Sequence, residues 1–138
     1  MTKHPTLFAE NTRATAMIET AILLPLFLML LLGILIYGQY FLLAHSVQQA
    51  ANDGARAAIT GLDAADRRAV AIRAIDRSMT GVGGYRTELR SVLVSETTDA
   101  VTVELAYHVP ETSLLRSTFV PMPGDIISAR ATFELPAE

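Results

Sequence analysis

The feature that most constrains this chain is a stretch of 33 residues, 20–52, that contains no Asp, Glu, Lys or Arg. Within it, residues 21–44 read AILLPLFLMLLLGILIYGQYFLLA, and Gln39 is the only strongly polar side chain in that segment. As an α-helix the segment would be about 36 Å long, enough to cross a hydrocarbon core of about 30 Å. The 138-residue chain has room for about one domain. The sequence therefore predicts a membrane segment joined to a small globular part.

The apolar run has three interpretations: a secretory signal, a buried core helix and a membrane helix. A secretory signal has an apolar region of about 7–15 residues after a basic stretch, whereas this run is longer and residues 1–14 are only weakly basic. A buried core helix would need protein on all sides, which a chain of this size hardly provides. We therefore expect a retained transmembrane helix over about residues 21–44.

Three residues qualify the predicted helix. Pro25 has no N–H to donate to the carbonyl of Ala21, so a kink or loosened turn is expected there. Gly33 and Gly38 lack side chains and would allow another helix to approach closely. The alternative is that they have no special role, because Gly and Pro are frequent in membrane helices.

The charges that flank the run predict its orientation. Lys3 and Arg13 precede it, and Arg56 is the only cation within a dozen residues after it. Because positive residues favour the cytoplasmic side, we expect a cytoplasmic N-terminus and an extracytoplasmic segment after residue 45. Tyr37 and Tyr40 approach the far end, where their amphipathic rings suit the bilayer interface.

Glu19 stands at the start of the run and has two interpretations. As an acid in the first turn of a helix it would be favoured by the helix dipole, by about 0.3–1 kcal/mol. Alternatively it pairs with a basic group, which has to come from outside this uncharged stretch.

The N-terminal sequence resembles a known family. Arg13-Ala14 followed by TAMIE and then TAILLPLFLMLLLGI is similar to the N-terminus of TadE-like pseudopilins of the Tad (Flp) pilus machinery. The later segments QQAANDGARAA and SARATFELP fit the same family. The resemblance implies cleavage by a prepilin peptidase between Ala14 and Thr15, which makes Glu19 the fifth mature residue and Pro25 the eleventh. The family usually has Gly before the cut, and Ala14 is the smallest replacement.

Cleavage would also supply a partner for Glu19. The freed α-amine of Thr15 would have an unperturbed pKa of about 7.7–8.0 and would be mostly protonated at neutral pH. An unpaired carboxylate in apolar surroundings is costly, so pairing with the amine of a neighbouring subunit would reward the correct axial register. We therefore expect Glu19 to act in assembly.

The remainder predicts an α+β domain. The first helix is expected to continue to Thr60, with Ala51, Ala55 and Ala58 allowing a second helix to pack closely within one subunit or between subunits, and Gly61 is expected to stop it. Asp63 is the expected N-cap of a second, amphipathic helix. The predicted organisation is a leader over 1–14, a long helix over 15–60 and a periplasmic domain over 61–138.

Alternating apolar residues then predict an antiparallel sheet of about three strands with a helix across one face. GVGG, at 81–84, follows a helix and is expected to be a turn rather than a phosphate-binding loop. The first strand is expected over Arg86–Ser95, with a hairpin turn at 97–99. The inward-facing residues of the other two strands recur at every second position: Val101, Val103, Leu105, Tyr107 and Val109, then Ile127, Ala129, Ala131, Phe133 and Leu135.

Several function classes are disfavoured by the sequence. The net charge of −3 argues against nucleic-acid binding, and the absence of Cys excludes disulfides and thiolate metal sites. His4, His45 and His108 are far apart, and no nucleophile, metal-ligand or cofactor motif is present. We therefore expect no enzyme activity, no cofactor, no metal site and no small-molecule substrate.

Two functions remain open. The resemblance implies a minor pseudopilin-like subunit in the bacterial inner membrane, whose partners are a prepilin peptidase and other pilins or pseudopilins of a machinery that serves adhesion and secretion. Major Flp pilins have little beyond the helix, so the α+β domain favours a minor role. The alternative is an unprocessed single-pass anchor that presents a small periplasmic binding module.

Overall fold

A computed structural model of the chain describes residues 7–111, 113–116, 121 and 124–135. The main elements are two helices, α1 (Leu7–Ala58) and α2 (Ala64–Met79), and three strands, β1 (Arg90–Glu96), β2 (Ala100–His108) and β3 (Ile126–Glu134). Short 3₁₀ turns occupy Thr87–Leu89 and Leu114–Arg116. The expected α+β class with a long N-terminal helix and a three-stranded antiparallel sheet is confirmed.

The chain divides into two compact units, residues 1–36 and 37–138. The described part of the first unit belongs to α1. Residues 14–35 are exposed except for the half-buried Gly33. At 1.5 Å per residue this exposed stretch is about 33 Å long. Among the described residues, one helix, over Ala14–Ala58, is long and apolar enough to cross a membrane.

The second unit is built on an antiparallel sheet in the order β1-β2-β3. Strand β2 is central, and its inward-facing residues Val101, Val103, Leu105 and Tyr107 are at most 2% exposed. Ile127, Ala129 and Ala131 of β3 are buried on the same face. The expected alternation on these two strands is confirmed, because each strand has one covered and one open face.

The first strand is shorter than the sequence predicts. Strand β1 begins at Arg90 rather than Arg86, because Thr87–Leu89 form a 3₁₀ turn. The hairpin turn that follows β1 is where the sequence places it: the amide of Thr97 donates to the carbonyl of Ala100 at 2.8 Å. Val92 is the only residue of β1 that is buried, which fits the position of this strand at the edge of the sheet.

Helix α2 begins as its sequence predicts. The side chain of Asp63 accepts a hydrogen bond from the amide of Asp66 at 2.8 Å, which satisfies one of the free N–H groups of the first turn. Its buried face carries Ala71, Ala74, Ile75 and Met79. Helical spacing of these residues gives one apolar stripe, which α2 buries in the second unit.

Two helices cover the sheet, where the sequence predicts one. The end of α1 lies over β3, because Gln48 Nε2 donates to the carbonyl of Arg130 at 3.4 Å and the Arg56 guanidinium lies 5.8 Å from the ring centroid of Phe133. Helix α2 lies over β1, where Arg67 forms an ion pair with Glu96. Periodicity shows that a face is apolar, but not which partner covers it.

Small residues let α1 and α2 approach closely. Ala51, Ala55 and Ala58 are fully buried, and a Cβ added at Gly54 would lie 2.8 Å from Cγ1 of Ile75. The alanine stripe therefore packs within one subunit, which settles one of the alternatives that the sequence leaves open.

Glycine is needed at position 61 for a different reason from the one that the sequence suggests. Helix α1 ends at Ala58, two residues before the expected end, and the amide of Gly61 donates to the carbonyl of Ala58 at 3.1 Å. A Cβ at Gly61 would lie 2.6 Å from the backbone of Arg67. Glycine is therefore needed for the close approach of the first turn of α2 rather than for a left-handed helix stop.

Candidate assembly site on the N-terminal helix

The residues predicted for processing and assembly all lie on the first unit of α1. Ala14, Thr15 and Glu19 are exposed and helical. Thr15 and Glu19 are four positions apart, so they share one helix face and are neighbours on it. Residues 1–6 of the expected leader, including His4, lie outside the described residues.

Gly33 lies close to the same face of the first unit. Gly33 lies fourteen positions after Glu19, which is about 3.9 helical turns, so the two positions differ by only about 40° around the axis. A Cβ added at Gly33 would meet no described atom within 4 Å. Backbone at this position is therefore open to close approach by another helix.

Pro25 and Gly38 are less closely tied to that face. Pro25 lies inside α1, which is helical on both sides of it, and a kink there stays a prediction. Gly38 belongs to the second unit, and a Cβ added there would also meet no described atom within 4 Å.

The first unit leaves large apolar side chains uncovered. Between Met17 and Leu35, the large aliphatic, aromatic and Met side chains are 39–74% exposed, and the most exposed is Met17. Burial of apolar surface is favourable by roughly 25 cal/mol per Å², so exposure of this whole surface to water is unfavourable. A surface of this kind requires lipid, other helices or both around it.

A cluster of three polar residues in the second unit escaped the sequence analysis. Asp76 of α2 accepts two hydrogen bonds from Arg90 of β1, at 2.6 Å from Nε and 2.8 Å from Nη2. The hydroxyl of Tyr85 donates a third, at 2.6 Å. We refer to Asp76, Tyr85 and Arg90 as the Asp76 cluster. The cluster ties the end of α2 to the start of β1 across the glycine turn.

The pKa values of the cluster are shifted by these contacts. The hydrogen bonds from Arg90 hold the pKa of Asp76 below its usual value, although partial burial opposes the shift. The same bonds raise the pKa of Arg90, and burial raises the pKa of Tyr85, with its hydrogen bond to Asp76 adding to the shift. All three groups therefore keep their ordinary neutral-pH charges in the folded protein. The sequence contains only a weak signal of this cluster, since its three polar residues are scattered over 15 positions.

The described residues contain no group of three or more His, Asp or Glu side chains that could hold a metal ion. His45 and His108 are exposed and lie on different elements, α1 and β2. Within the described part of the chain, the features that single out a site are therefore the exposed stretch of α1 over residues 14–35 and the one acidic residue in that stretch, Glu19.

These features define a class: an α+β domain carried on one helix that is long and apolar enough to span a membrane. Comparison with known families makes this more specific, since residues 14–56 match the model of the TadE-like proteins. The match covers 43 of the 138 residues and confirms the resemblance over the segment that includes Ala14, Thr15 and Glu19. Together the match and the helix fit a membrane protein associated with the Tad pilus. A search of the curated proteins and a search of the solved structures each found no match to this chain.

Proposed function

We propose that this chain is a minor pseudopilin-like subunit of Tad (Flp) pilus biogenesis. It is inserted in the bacterial inner membrane with a cytoplasmic N-terminus, cut between Ala14 and Thr15 by a prepilin peptidase, and packed against other subunits through α1. The observation that carries the proposal is that the TadE-like match begins at Ala14 and runs along the exposed helix past Glu19.

Glu19 gives the helix a means of setting its register. It is exposed, and no hydrogen bond or ion pair to another described residue is observed for its side chain. Once the α-amine of Thr15 is freed, an acid and a base lie at one end of every subunit. A charge pair in apolar surroundings is strongly favoured over either charge alone, so a neighbour displaced along the axis would leave both unpaired.

Pairing within a single chain is the competing arrangement. Thr15 and Glu19 share a helix face, so the amine of a cleaved subunit lies within reach of its own carboxylate. The two arrangements differ in their consequences. Only pairing between chains makes Glu19 necessary for assembly, whereas pairing within one chain would stabilise only its first turn.

The second unit favours an accessory role over that of a bulk filament subunit. Its three-stranded sheet and two covering helices form a folded domain, which would have to be accommodated at every position of a filament. A minor, priming or basal subunit has no such restriction. We propose no catalytic activity for it and assign the partners to the membrane, the peptidase and other pilins or pseudopilins.

Processing is tested by the intact mass of the protein extracted from membranes of its native cells. We expect a mass lower by that of residues 1–14 and an N-terminal Thr15. Two variants of the junction provide controls: Ala14→Gly, the residue usual in the family, should be cut at least as well, and Ala14→Leu should remain full length. A full-length wild-type chain in cells that cut their other prepilins would instead favour an unprocessed anchor that presents a binding module.

A further inference from the structure

A cleft of about 470 Å³ lies in the second unit where the apolar run ends. One wall comes from α1 and the other from the glycine turn and the segment that follows β2. The residues that matter to the argument are Gln39, Leu42, Leu43, Gly84, Arg86 and Leu115. Neither the TadE-like match nor the proposed assembly of α1 assigns a role to this cleft.

The cleft has an apolar part and a cationic rim. Leu42, Leu43 and Leu115 supply the apolar lining; Leu42 is 67% exposed, whereas Leu43 and Leu115 are buried at the base. Arg86 is exposed on the rim, and among the described residues its side chain has no ion-pair partner. By contrast, Arg67, Arg90, Arg116 and Arg130 each pair with a carboxylate.

The position of the cleft in the sequence sets its depth relative to a bilayer. Gln39, Leu42 and Leu43 belong to the last turns of the apolar run, where a membrane helix leaves the hydrocarbon core. The segment after β2 also reaches this level, because the Tyr37 hydroxyl donates to the carbonyl of Pro121 at 3.1 Å. The cleft therefore opens at the boundary between acyl chains and headgroups.

The rim is held in place by the domain itself. The Tyr107 hydroxyl donates to the carbonyl of Gly84 at 3.4 Å and accepts from the amide of Arg86 at 3.3 Å. The rings of Tyr107 and Tyr85 stack with centroids 5.6 Å apart, and Tyr85 belongs to the Asp76 cluster. These contacts fix the backbone of Arg86, so its guanidinium projects from a rigid base.

We propose that this cleft binds one anionic phospholipid of the leaflet on the domain's side. The lipid phosphate pairs with Arg86, and an acyl chain lies along the exposed side chain of Leu42. A phospholipid fits because its charged headgroup is joined to apolar acyl chains, just as the cationic rim of the cleft adjoins its apolar lining. The bilayer changes from acyl chains to headgroups at the same depth. Guanidinium binds phosphate through several directed hydrogen bonds. The inference does not depend on peptidase cleavage or on Glu19.

The test is native mass spectrometry of the full chain in detergent, titrated with phosphatidylglycerol. We expect one retained lipid per wild-type chain at low lipid concentration. Arg86→Gln should weaken retention about fivefold, as expected for the loss of one cation at a lipid surface. Arg68→Gln is the matched control, because Arg68 is also exposed and has no ion-pair partner among the described residues, but lies away from the cleft on α2. It should retain the lipid like the wild type.

Three results would overturn the proposal. They are no lipid adduct above that of a soluble control protein, equal retention by the wild type and Arg86→Gln, or an equal loss in Arg86→Gln and Arg68→Gln. Circular dichroism of each variant shows whether the domain is folded. If Arg86→Gln is unfolded, Arg86→Lys takes its place: it keeps the charge, and should retain lipid better than a folded Arg86→Ala. Equal retention by those two would also overturn the proposal.

Discussion

The two ends of α1 differ in the size of their apolar side chains and in whether the protein itself buries them. Over residues 14–35 the helix carries Leu, Ile, Phe and Met, and these large side chains are exposed. Over residues 47–58 its covered face is mainly alanine, with Ala50, Ala51, Ala55 and Ala58 fully buried beside Val47. Large apolar residues suit a surface that fluid lipid surrounds, whereas small ones bring a second helix into contact. Side-chain size therefore distinguishes the part of the helix that contacts lipid or other subunits from the part that packs against its own domain.

The largest expected effect comes from placing a charge on the exposed end. Leu28→Arg should oppose membrane insertion by about 3 kcal/mol, because an arginine at the centre of a membrane helix is costly and a leucine is favourable. Resistance to alkaline carbonate extraction measures the inserted fraction. Gln49→Arg places the same charge at an exposed position of the other end and should not change insertion. If both variants remained inserted like the wild type, the assignment of the apolar run to the membrane would be wrong.

The next effect concerns the Asp76 cluster, which lies entirely in the domain. Asp76→Asn should lower the free energy of unfolding by about 2 kcal/mol, a value reduced from that of a fully buried ion pair because Asp76 is partly exposed. Denaturant unfolding in detergent measures it. Glu104→Gln is the control, since it removes an ion pair with Arg130 from the open face of the sheet and should cost less than 0.5 kcal/mol. Equal losses in the two variants would contradict the assigned role of the cluster.

The same cluster gives a pH dependence of known sign. Because the folded pKa of Asp76 is lowered, its contribution to stability is present above the ordinary value of 3.8 and is lost as the pH falls through the lowered value. The difference in unfolding free energy between wild type and Asp76→Asn should be constant from pH 7 to 5 and should shrink below pH 4. A difference that grew toward low pH would have the wrong sign.

A further prediction compares Gly38 and Gly54, two glycines of α1. Alanine favours a helix by about 1 kcal/mol over glycine at either position. At Gly54 the added methyl group meets the buried side chain of Ile75, whereas at Gly38 it meets no described atom within 4 Å. Gly54→Ala should therefore be less stable than Gly38→Ala by about 2 kcal/mol in denaturant unfolding. Equal stabilities would mean that the two helices are not as closely packed as described.

Much of this fold follows from periodicity, and the exceptions share a cause. Strands β2 and β3 alternate because each has one open face, and Asp63 caps α2 through a contact only three residues away. Three features were not predicted because they depend on contacts between distant segments: the start of β1, the second helix that covers the sheet, and the need for glycine at position 61. Gly61 illustrates the point: glycine after a helix usually indicates a left-handed stop, but here Arg67 occupies the space that a side chain would need.

The functional features likewise differ in whether they could be predicted from the sequence. Glu19 could be found from the sequence because a single acid beside an uncharged run is conspicuous without any knowledge of the fold. The Asp76 cluster and the cleft could not, since Asp76 meets Arg90, and Leu42 comes to line one cleft with Arg86, only once the domain has folded. Nothing in the spacing of these residues distinguishes them from ordinary surface positions.

The central claim is that Glu19 meets an amino group on another subunit, and its most direct test is a comparison of insertion and assembly in the native cells. Wild type and Glu19→Ala are each scored for carbonate resistance and for co-purification with other pilus subunits. Pairing between subunits predicts that Glu19→Ala is inserted normally but is lost from the co-purified complex. An inserted Glu19→Ala that co-purifies at the wild-type level would contradict it.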